Sequence, residues 1–193
     1  MSLIDKAVAA LTPPESERER RRARREAQDI AAAGSWFAMI LDHHEQIEAA
    51  FDALEKAGSA AQRRAAQKWL AIILTGHSIA EEAVIYPAMA SHSEKAGAEM
   101  AYQEQSAAKG EVAALEELDP LSEDYRDKLA HIRGAVAHHM YEEESRRFPK
   151  LQERADAATR ARLRRRYEEE FKRYVGGDTQ AGVMKAAQEA RSH

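Results

Sequence analysis

Apolar residues recur along most of the chain at intervals of three and four positions, the spacing of one face of an α-helix. No useful length of sequence alternates between apolar and polar residues, so the pattern predicts no strands. The apolar stripes and the breaks between them predict six helices, at residues 14–32, 34–57, 60–90, 94–118, 122–148 and 156–175.

Capping residues mark several of these helix starts. In a capping box, a Ser or Thr side chain and an acidic or amide side chain three positions later bind each other's backbone N–H groups. Ser122, which follows Asp119-Pro120, predicts a further start. Pairs with the spacing of a capping box are Thr12 with Glu15, Ser59 with Gln62, and Ser91 with Glu94.

Four of the predicted helices are amphipathic and are joined by short connections, which favours an up-and-down antiparallel four-helix bundle. We therefore expect an all-α fold with additional N- and C-terminal helices. Residues 34–152 are expected to form the bundle, residues 1–33 an N-terminal helical extension, and residues 153–193 a C-terminal basic helix and tail. The arginine blocks in both added helices are diluted by glutamate, which is typical of solvated helix faces.

Composition narrows the chemistry that the chain can perform. It has no cysteine among 193 residues, which excludes disulfides, thiolate metal ligands and cysteine nucleophiles. A net charge of -4 does not indicate a nucleic-acid partner. No apolar run reaches the length of a membrane span or a signal-peptide core, so we expect a cytoplasmic protein that does not bind a membrane.

Histidine and glutamate residues interrupt the apolar stripes at matching points. His44 lies on the stripe of the second predicted helix. His77 and Glu81 extend the stripe of the third helix, and His139 and Glu143 extend that of the fifth. Each pair is separated by four positions, which places both side chains on one helix face. These five side chains are therefore expected to point into the core.

The two pairs belong to a longer repeated frame, His-x-x-x-Glu-Glu-x-x-x-aromatic-Pro. One copy begins at His77 and ends at Pro87, and the other begins at His139 and ends at Pro149. A second interval also repeats, because His44 precedes His77 by 33 positions and Gln105 precedes His139 by 34. The repeat indicates that one helix pair occurs twice in the bundle.

Two glutamates in one core need a compensating charge, because burying an unpaired carboxylate costs on the order of several kcal/mol. A metal ion supplies that charge, and imidazole with carboxylate suits iron, manganese or zinc. Carboxylates can also bridge two metals, which favours a dinuclear site. A single histidine on an apolar stripe is more often a hydrogen-bonded core residue. Two copies of one frame with a third histidine at matching spacing favour a metal site.

The doubled frame resembles the hemerythrin-like, HHE-type cation-binding domains over about residues 34–152. The resemblance implies a four-helix bundle that holds two non-heme irons, bridged by carboxylates and an oxo or hydroxo group. By motif, the family's ligands correspond to His44, His77, Glu81, His139 and Glu143. The resemblance further implies binding or handling of O2, NO, peroxide or iron, with stress defence as one role. Whether the protein is an enzyme stays open.

The chain departs from the family on the fourth predicted helix, where members place a histidine. The matching position is Gln105, which lies on the apolar stripe and is expected to point inward. Glutamine binds iron more weakly than imidazole does, so we expect two unequal metal positions. Glu104 and Tyr102 are close enough to substitute, and we include Gln105 and Glu104 among the candidate metal ligands.

The remaining histidines and aromatic residues of these helices are expected to lie outside the ligand set. His43 and His138 are each about 100° around the helix from the ligand position. We therefore expect each to be exposed or to lie behind a ligand, without binding the metal itself. Tyr86 and Phe148, at the aromatic position of the frame, are predicted to pack in the core. Tyr141 is predicted to pack as well, with orientation toward the site as the alternative.

Two other classes of function are alternatives to the hemerythrin-like one. Ferritin-like di-iron proteins use Glu-x-x-His, with a spacing of three and the opposite residue order, so the pattern disfavours them. The other is a metal-free or zinc-bound helical protein with an interaction or regulatory role. It would act through the added helices at 14–32 and 156–175, which also leave a homodimer open, and its metal content would distinguish it.

Overall fold

The computed structural model describes residues 15–92 and 95–176, and in these ranges all regular structure is helical, which confirms the all-α prediction. The helices are α1 (Glu17–Ile30), α2 (Trp36–Lys56), α3 (Ala60–Ala80), α4 (Tyr86–Ser91), α5 (Lys95–Leu115), α6 (Glu123–Glu142), α7 (Phe148–Arg154) and α8 (Ala157–Val175). Two π-helical turns, Glu81–Ile85 and Glu143–Arg147, join α3 to α4 and α6 to α7.

Helices α2, α3, α5 and α6 form the four-helix bundle that the sequence predicts. Their apolar stripes meet in the interior, where residues such as Ile40, Leu70 and Ile132 are almost completely buried. Burying one such side chain contributes about 1.5–3 kcal/mol, so the stripes account for much of the stability of the bundle. Among the helices that the structure describes, none has the length and apolar character needed to cross a membrane.

The two terminal helices pack against the bundle. α1 contacts α2, α6 and the second π-helical turn, while α8 contacts α2, α3 and the first π-helical turn. The buried residues of α8 recur every four positions, so this basic helix has an apolar face against the bundle and arginines on its outer face. Both helices contribute to one buried core, and the division at residues 33 and 152 stays a prediction. The buried residues of α8 are Leu163, Tyr167, Phe171 and Val175.

Two of the predicted capping sites are confirmed. Ser59 caps α3, where its hydroxyl accepts the backbone N–H of Gln62 at 3.3 Å. Ser122 caps α6 in the same way, with the N–H of Tyr125 at 3.1 Å. These contacts satisfy N–H groups that the first turn of a helix leaves without a partner.

Two other boundaries differ from the prediction. α1 is capped by Ser16, which forms a capping box with Glu19, and the predicted cap Thr12 lies outside the described residues. Ser91 is the last residue of α4, so the prediction that it caps the next helix is wrong. Its expected partner Glu94 also lies outside the described residues.

Each π-helical turn precedes a proline. Proline has no N–H, and its ring clashes with the carbonyl four residues earlier in a regular α-helix. At Pro87 the chain accommodates this by a wider turn, in which the N–H of Tyr86 bonds the carbonyl of Glu81, five residues back. The N–H of Phe148 bonds the carbonyl of Glu143 in the same way. The helices predicted at 60–90 and 122–148 are therefore each interrupted at the glutamate of the repeated frame.

Candidate metal centre

Four buried side chains converge in the middle of the bundle. His44 comes from α2 and His77 from α3, while Glu81 and Glu143 are the first residues of the two π-helical turns. One ligand atom from each of the four lies within 4.8 Å of the others. All four side chains are almost completely inaccessible to solvent. This group is able to hold a metal ion.

Several polar atoms in this group are buried without a hydrogen-bond partner. They are Nε2 of His44, Oε1 of Glu81 and Oε2 of Glu143, and the amide oxygen Oε1 of the adjoining Gln105 is a fourth. Nε2 of His44 and Oε2 of Glu143 lie 3.4 Å apart, in an ion-pair contact that lacks hydrogen-bond geometry. An unpaired buried polar group costs about 1–3 kcal/mol, and a charged one costs more, so folded proteins rarely leave such groups together. A bound cation would coordinate these nitrogen and oxygen atoms and remove the cost. The donor set therefore fits a transition-metal ion such as iron, manganese or zinc.

His44 is oriented by a second glutamate. Its Nδ1 lies 2.6 Å from Oε1 of Glu144, which can only accept a hydrogen bond at neutral pH, so Nδ1 carries a proton and Nε2 is the candidate ligand atom. Glu144 is itself held by Arg24 of α1 at 2.6 Å. A carboxylate behind an imidazole is typical of metal-binding histidines, because it sets the tautomer and the ring direction.

His77 is oriented from the other terminal helix. Its Nε2 lies 3.1 Å from Oε2 of Glu81, on the side of the site. Its Nδ1 lies 3.0 Å from the hydroxyl oxygen of Tyr167, a buried residue of α8. The same hydroxyl lies 2.8 Å from Nδ1 of His43, which is buried next to it. His43 therefore lies outside the group of four and contacts Tyr167, the hydrogen-bond partner of the candidate ligand His77. This agrees with the expectation that His43 is not itself a ligand.

His139 lies beside the group of four. Its Nε2 is 3.3 Å from Oε1 of Glu143, and its Nδ1 is 2.7 Å from Oε2 of Glu104. Glu104 also binds Arg147 at 2.8 Å, so this carboxylate lies behind the imidazole, as Glu144 lies behind His44. The structure thus brings His139 to the site and places Glu104 one contact further out.

Gln105 lies on the buried face of α5, as the predicted register requires. Its amide nitrogen donates to Oε2 of Glu81 at 2.5 Å, and its amide oxygen has no partner. The neighbouring Tyr102 is partly exposed, and its hydroxyl donates to the backbone carbonyl of Glu82 at 2.6 Å. Of the residues weighed for the position of the family's histidine, only Gln105 is therefore in direct contact with the group of four.

Tyr86 has a role that sequence reasoning missed. Its ring packs in the core as expected, but its hydroxyl lies 2.9 Å from Oε1 of Glu143 and 3.2 Å from Oε2 of Glu81. It also lies 3.3 Å from Nε2 of His139. Burial, together with the nearby glutamates, raises the pKa of Tyr86 well above its ordinary value, so the phenol keeps its proton at neutral pH.

The charges of the site are strongly coupled. Burial by itself would lower the pKa of His44, but the adjacent Glu143 and Glu144 raise it to about 9. Burial also opposes the shift at His139, where Glu143 and Glu104 raise the pKa to about 10. In turn, His139 and His44 overcome the burial of Glu143 and hold its pKa well below the ordinary range. A cation at the ring nitrogens must therefore displace protons.

Other residues lie outside the site. Phe148 packs at 5.7 Å and 5.8 Å from the rings of Trp36 and Phe37, as predicted. Tyr141 is partly buried and lines a groove beside α1. His138 is half exposed and binds Glu15 at 2.7 Å.

Glu144 and Tyr167 were not identified from the sequence as parts of the site, although a signal existed for each. Glu144 is the second glutamate of the repeated frame, directly after Glu143. Tyr167 belongs to the four-residue apolar repeat of α8. Neither signal by itself indicates a contact with an imidazole on another helix.

A four-helix bundle with buried histidines and glutamates at its centre defines a cation-binding helical protein. The sequence model of the hemerythrin HHE cation-binding domain matches residues 37–151, more than half of the chain. The chain therefore belongs to the hemerythrin HHE cation-binding domain family, whose members bind small ligands such as O2 at a metal site. Comparison with curated proteins and with solved structures finds no match. Both α1 and α8 lie outside the matched residues.

Proposed function

We propose that this protein binds non-heme iron, two ions per chain, and uses the centre to bind or handle O2, NO, peroxide or iron itself. The observation that supports this most is the convergence of buried ligand atoms that have no hydrogen-bond partner, on His44, Glu81 and Glu143. Iron suits a mixed set of imidazoles and carboxylates, and when bound it supplies redox chemistry and an open coordination position.

The proposed ligands divide into a stronger and a weaker set. His44 and His77 would hold one ion together with Glu81 and Glu143, whose carboxylates have further oxygens available for a second ion. His139 would be the only imidazole of the second position, with Gln105 where the family places a histidine. We therefore expect unequal affinities at the two positions.

A small cavity beside the site supports a small ligand. Its volume is about 20 Å³, enough for about one water-sized molecule, which favours a ligand of a few atoms over a larger organic substrate. Ile47, Leu74, Val136 and Met140 provide an apolar lining, and the proposed ligands His77, Gln105 and His139 line the cavity as well. The apolar lining keeps bulk water away from a bound molecule.

Tyr86 is the group best placed to hold a proton at the site. Its hydroxyl contacts both carboxylates and the Nε2 side of His139, and its raised pKa keeps it neutral. A neutral phenol at this position would donate a hydrogen bond to a small anionic ligand. It would also donate to a carboxylate oxygen whose negative charge increases during the reaction. The role of Tyr86 is therefore to hold a proton at its hydroxyl oxygen.

Metal analysis with an optical spectrum of aerobically purified protein tests the proposal. We expect about two irons per chain with near-ultraviolet absorption, and a large loss of iron in Glu81→Gln. Glu82→Gln is a matched control, because Glu82 is partly exposed and pairs with Lys109. A protein that contains zinc or no metal, or a Glu81→Gln variant with full iron, would contradict the assignment and favour an interaction or regulatory role.

A further inference from the structure

One hydroxyl group lies between two buried imidazoles at the edge of the proposed metal centre. The phenol oxygen of Tyr167 is 3.0 Å from Nδ1 of His77 and 2.8 Å from Nδ1 of His43. Tyr167 is completely buried. It belongs to α8, which lies outside the residues that match the family.

A tyrosine hydroxyl has one proton, so it can donate to only one of the two rings. If Nε2 of His77 faces the metal, Nδ1 of His77 carries a proton and donates to the Tyr167 oxygen. The Tyr167 proton is then free to donate to Nδ1 of His43, which must be unprotonated. The three groups form one directed chain, His77 to Tyr167 to His43.

We infer that Tyr167 is a positioning residue for His77 and that α8 is a working part of the metal centre. This inference rests on the proposed function, because it concerns the ligand His77. A hydrogen-bond acceptor behind a ligand imidazole determines which nitrogen faces the metal, limits rotation of the ring and makes the ring a better electron donor. His139 and His44 have carboxylates in that position, and His77 has a phenol from another helix.

Close packing of α8 against α3 constrains the position of the Tyr167 hydroxyl. α3 has a glycine, Gly76, directly before His77, and a Cβ there would come within 2.6 Å of Val175 on α8. α8 can therefore approach α3 more closely than a larger residue would permit. Phe171 of α8 stacks on the ring of His43 with centroids 3.9 Å apart. The first contact is at the residue before His77 and the second is on the ring of His43, so α8 packs closely beside both partners of the Tyr167 hydroxyl.

Ferrous-ion titration of the full-length apo protein tests this inference with three variants. Tyr167→Phe removes the hydroxyl and keeps the ring, and it should weaken ferrous binding roughly 10- to 100-fold, the usual effect of losing such a partner. It should also raise the ferric/ferrous midpoint potential, because His77 then donates less electron density. Tyr174→Phe removes an exposed hydroxyl from the same helix and should change neither property.

Leu163→Ala separates positioning from stability. Leu163 is a buried apolar residue of α8 and takes no part in the hydrogen bonds of the site. This variant should melt at a lower temperature than Tyr167→Phe while it keeps the wild-type affinity and potential. Circular dichroism of each apo variant shows whether it is folded before the titration.

The outcomes distinguish this inference from the proposed function. If wild type binds iron and Tyr167→Phe matches Tyr174→Phe in affinity and potential, the inference is overturned and the proposed function stands. The inference also fails if Leu163→Ala weakens binding as much as Tyr167→Phe does, because the effect then follows stability alone. If wild type binds no metal, both the proposed function and the inference fail.

Discussion

The two copies of the His-x-x-x-Glu-Glu frame share a backbone and differ in their surroundings. In both copies the glutamate begins a π-helical turn and the histidine lies four residues before it. The partner behind the imidazole differs, since His77 contacts the phenol of Tyr167 and His139 contacts the carboxylate of Glu104. A sequence repeat therefore specifies the inner groups of this site, while the groups behind them depend on helices outside the repeat.

The aromatic position of the frame also differs in its contacts between the two copies. Tyr86 directs a hydroxyl to both glutamates, whereas Phe148 packs in an apolar cluster with Trp36 and Phe37. Tyrosine differs from phenylalanine by one oxygen atom. The hydroxyl that donates to the glutamates is therefore present in the first copy of the frame and absent from the second.

The second glutamates differ in burial. Glu144 is buried and binds both His44 and Arg24, whereas Glu82 is partly exposed and binds Lys109. In the second copy, the frame therefore also supplies the group that orients a histidine of another helix. The first copy has a surface ion pair at the equivalent position.

The largest difference between the halves should appear when each inner glutamate is neutralised. Glu143 contacts His44, His139 and Tyr86, and removing one partner of such a buried charged network typically costs about 3–5 kcal/mol. Glu143→Gln should therefore lower both iron content and the melting temperature of the chelated protein more than Glu81→Gln does. Equal melting temperatures for the two chelated variants would contradict this asymmetry.

Removing the metal should lower the stability of the whole bundle, because both copies of the frame are proposed to bind it. An ion that binds only the folded chain stabilises it by about 2.7 kcal/mol at a free concentration 100 times Kd, which is a shift on the order of 5–10 °C for a chain of this size. Differential scanning calorimetry of the holo and chelated protein measures this change. The shift should be absent in Glu81→Gln and Glu143→Gln if these residues bind the ion, and its persistence there would point to another site.

Exchanging the aromatic residues tests the difference at the aromatic position of the frame. Phe148→Tyr adds a hydroxyl to the apolar cluster and should destabilise the protein by about 1–3 kcal/mol, with little change in iron affinity. Tyr86→Phe should do the reverse, with a weaker or spectrally altered iron centre and a smaller change in melting temperature. Chemical denaturation and iron titration of the two variants separate these effects. The same profile for both would show that the hydroxyl of Tyr86 contributes only to packing.

Gln105→His should make the two halves more alike. An imidazole in place of the amide should strengthen the weaker iron position by roughly tenfold, or about 1.4 kcal/mol, because iron binds imidazole more tightly than amide oxygen. Ferrous titration of wild type should show two unequal affinities, and the variant should bring them closer. Two equal affinities in wild type, unchanged by the substitution, would show that Gln105 does not limit the second position.

The smallest effect is expected at the pair of second glutamates. Lys109→Met removes the partner of Glu82, a partly exposed ion pair, and should cost at most about 1 kcal/mol with no change in iron affinity. Arg24→Met removes a partner of the buried Glu144 and should cost more, because Glu144 orients His44. Melting temperatures and iron titrations of these two variants measure the contrast. A larger loss in Lys109→Met would reverse the comparison between the halves.

The sequence by itself determined the helices, the bundle and the candidates for the inner side chains, because these depend on short spacings. Residues four positions apart share one face of a helix whatever surrounds it, so His77 and Glu81 were expected to be neighbours, and they lie 3.1 Å apart. The register of α5 follows from the same periodicity and correctly directs Gln105 inward. The exact limits of α3 and α6 did not follow, because the π-helical turns before Pro87 and Pro149 change the spacing locally.

Only the tertiary structure decided which groups lie behind the candidate ligands. Tyr167 is 90 residues from His77, and Glu144 is 100 residues from His44. Contacts across such separations depend on how helices rotate and approach one another, and no local spacing encodes that. The sequence of α8 is typical of a basic surface helix. Its apolar face and the glycine at position 76 nevertheless bring Tyr167 into contact with the imidazole of His77. The physical reason is close packing, since a hydrogen bond between two helices forms only where their separation matches the reach of both side chains.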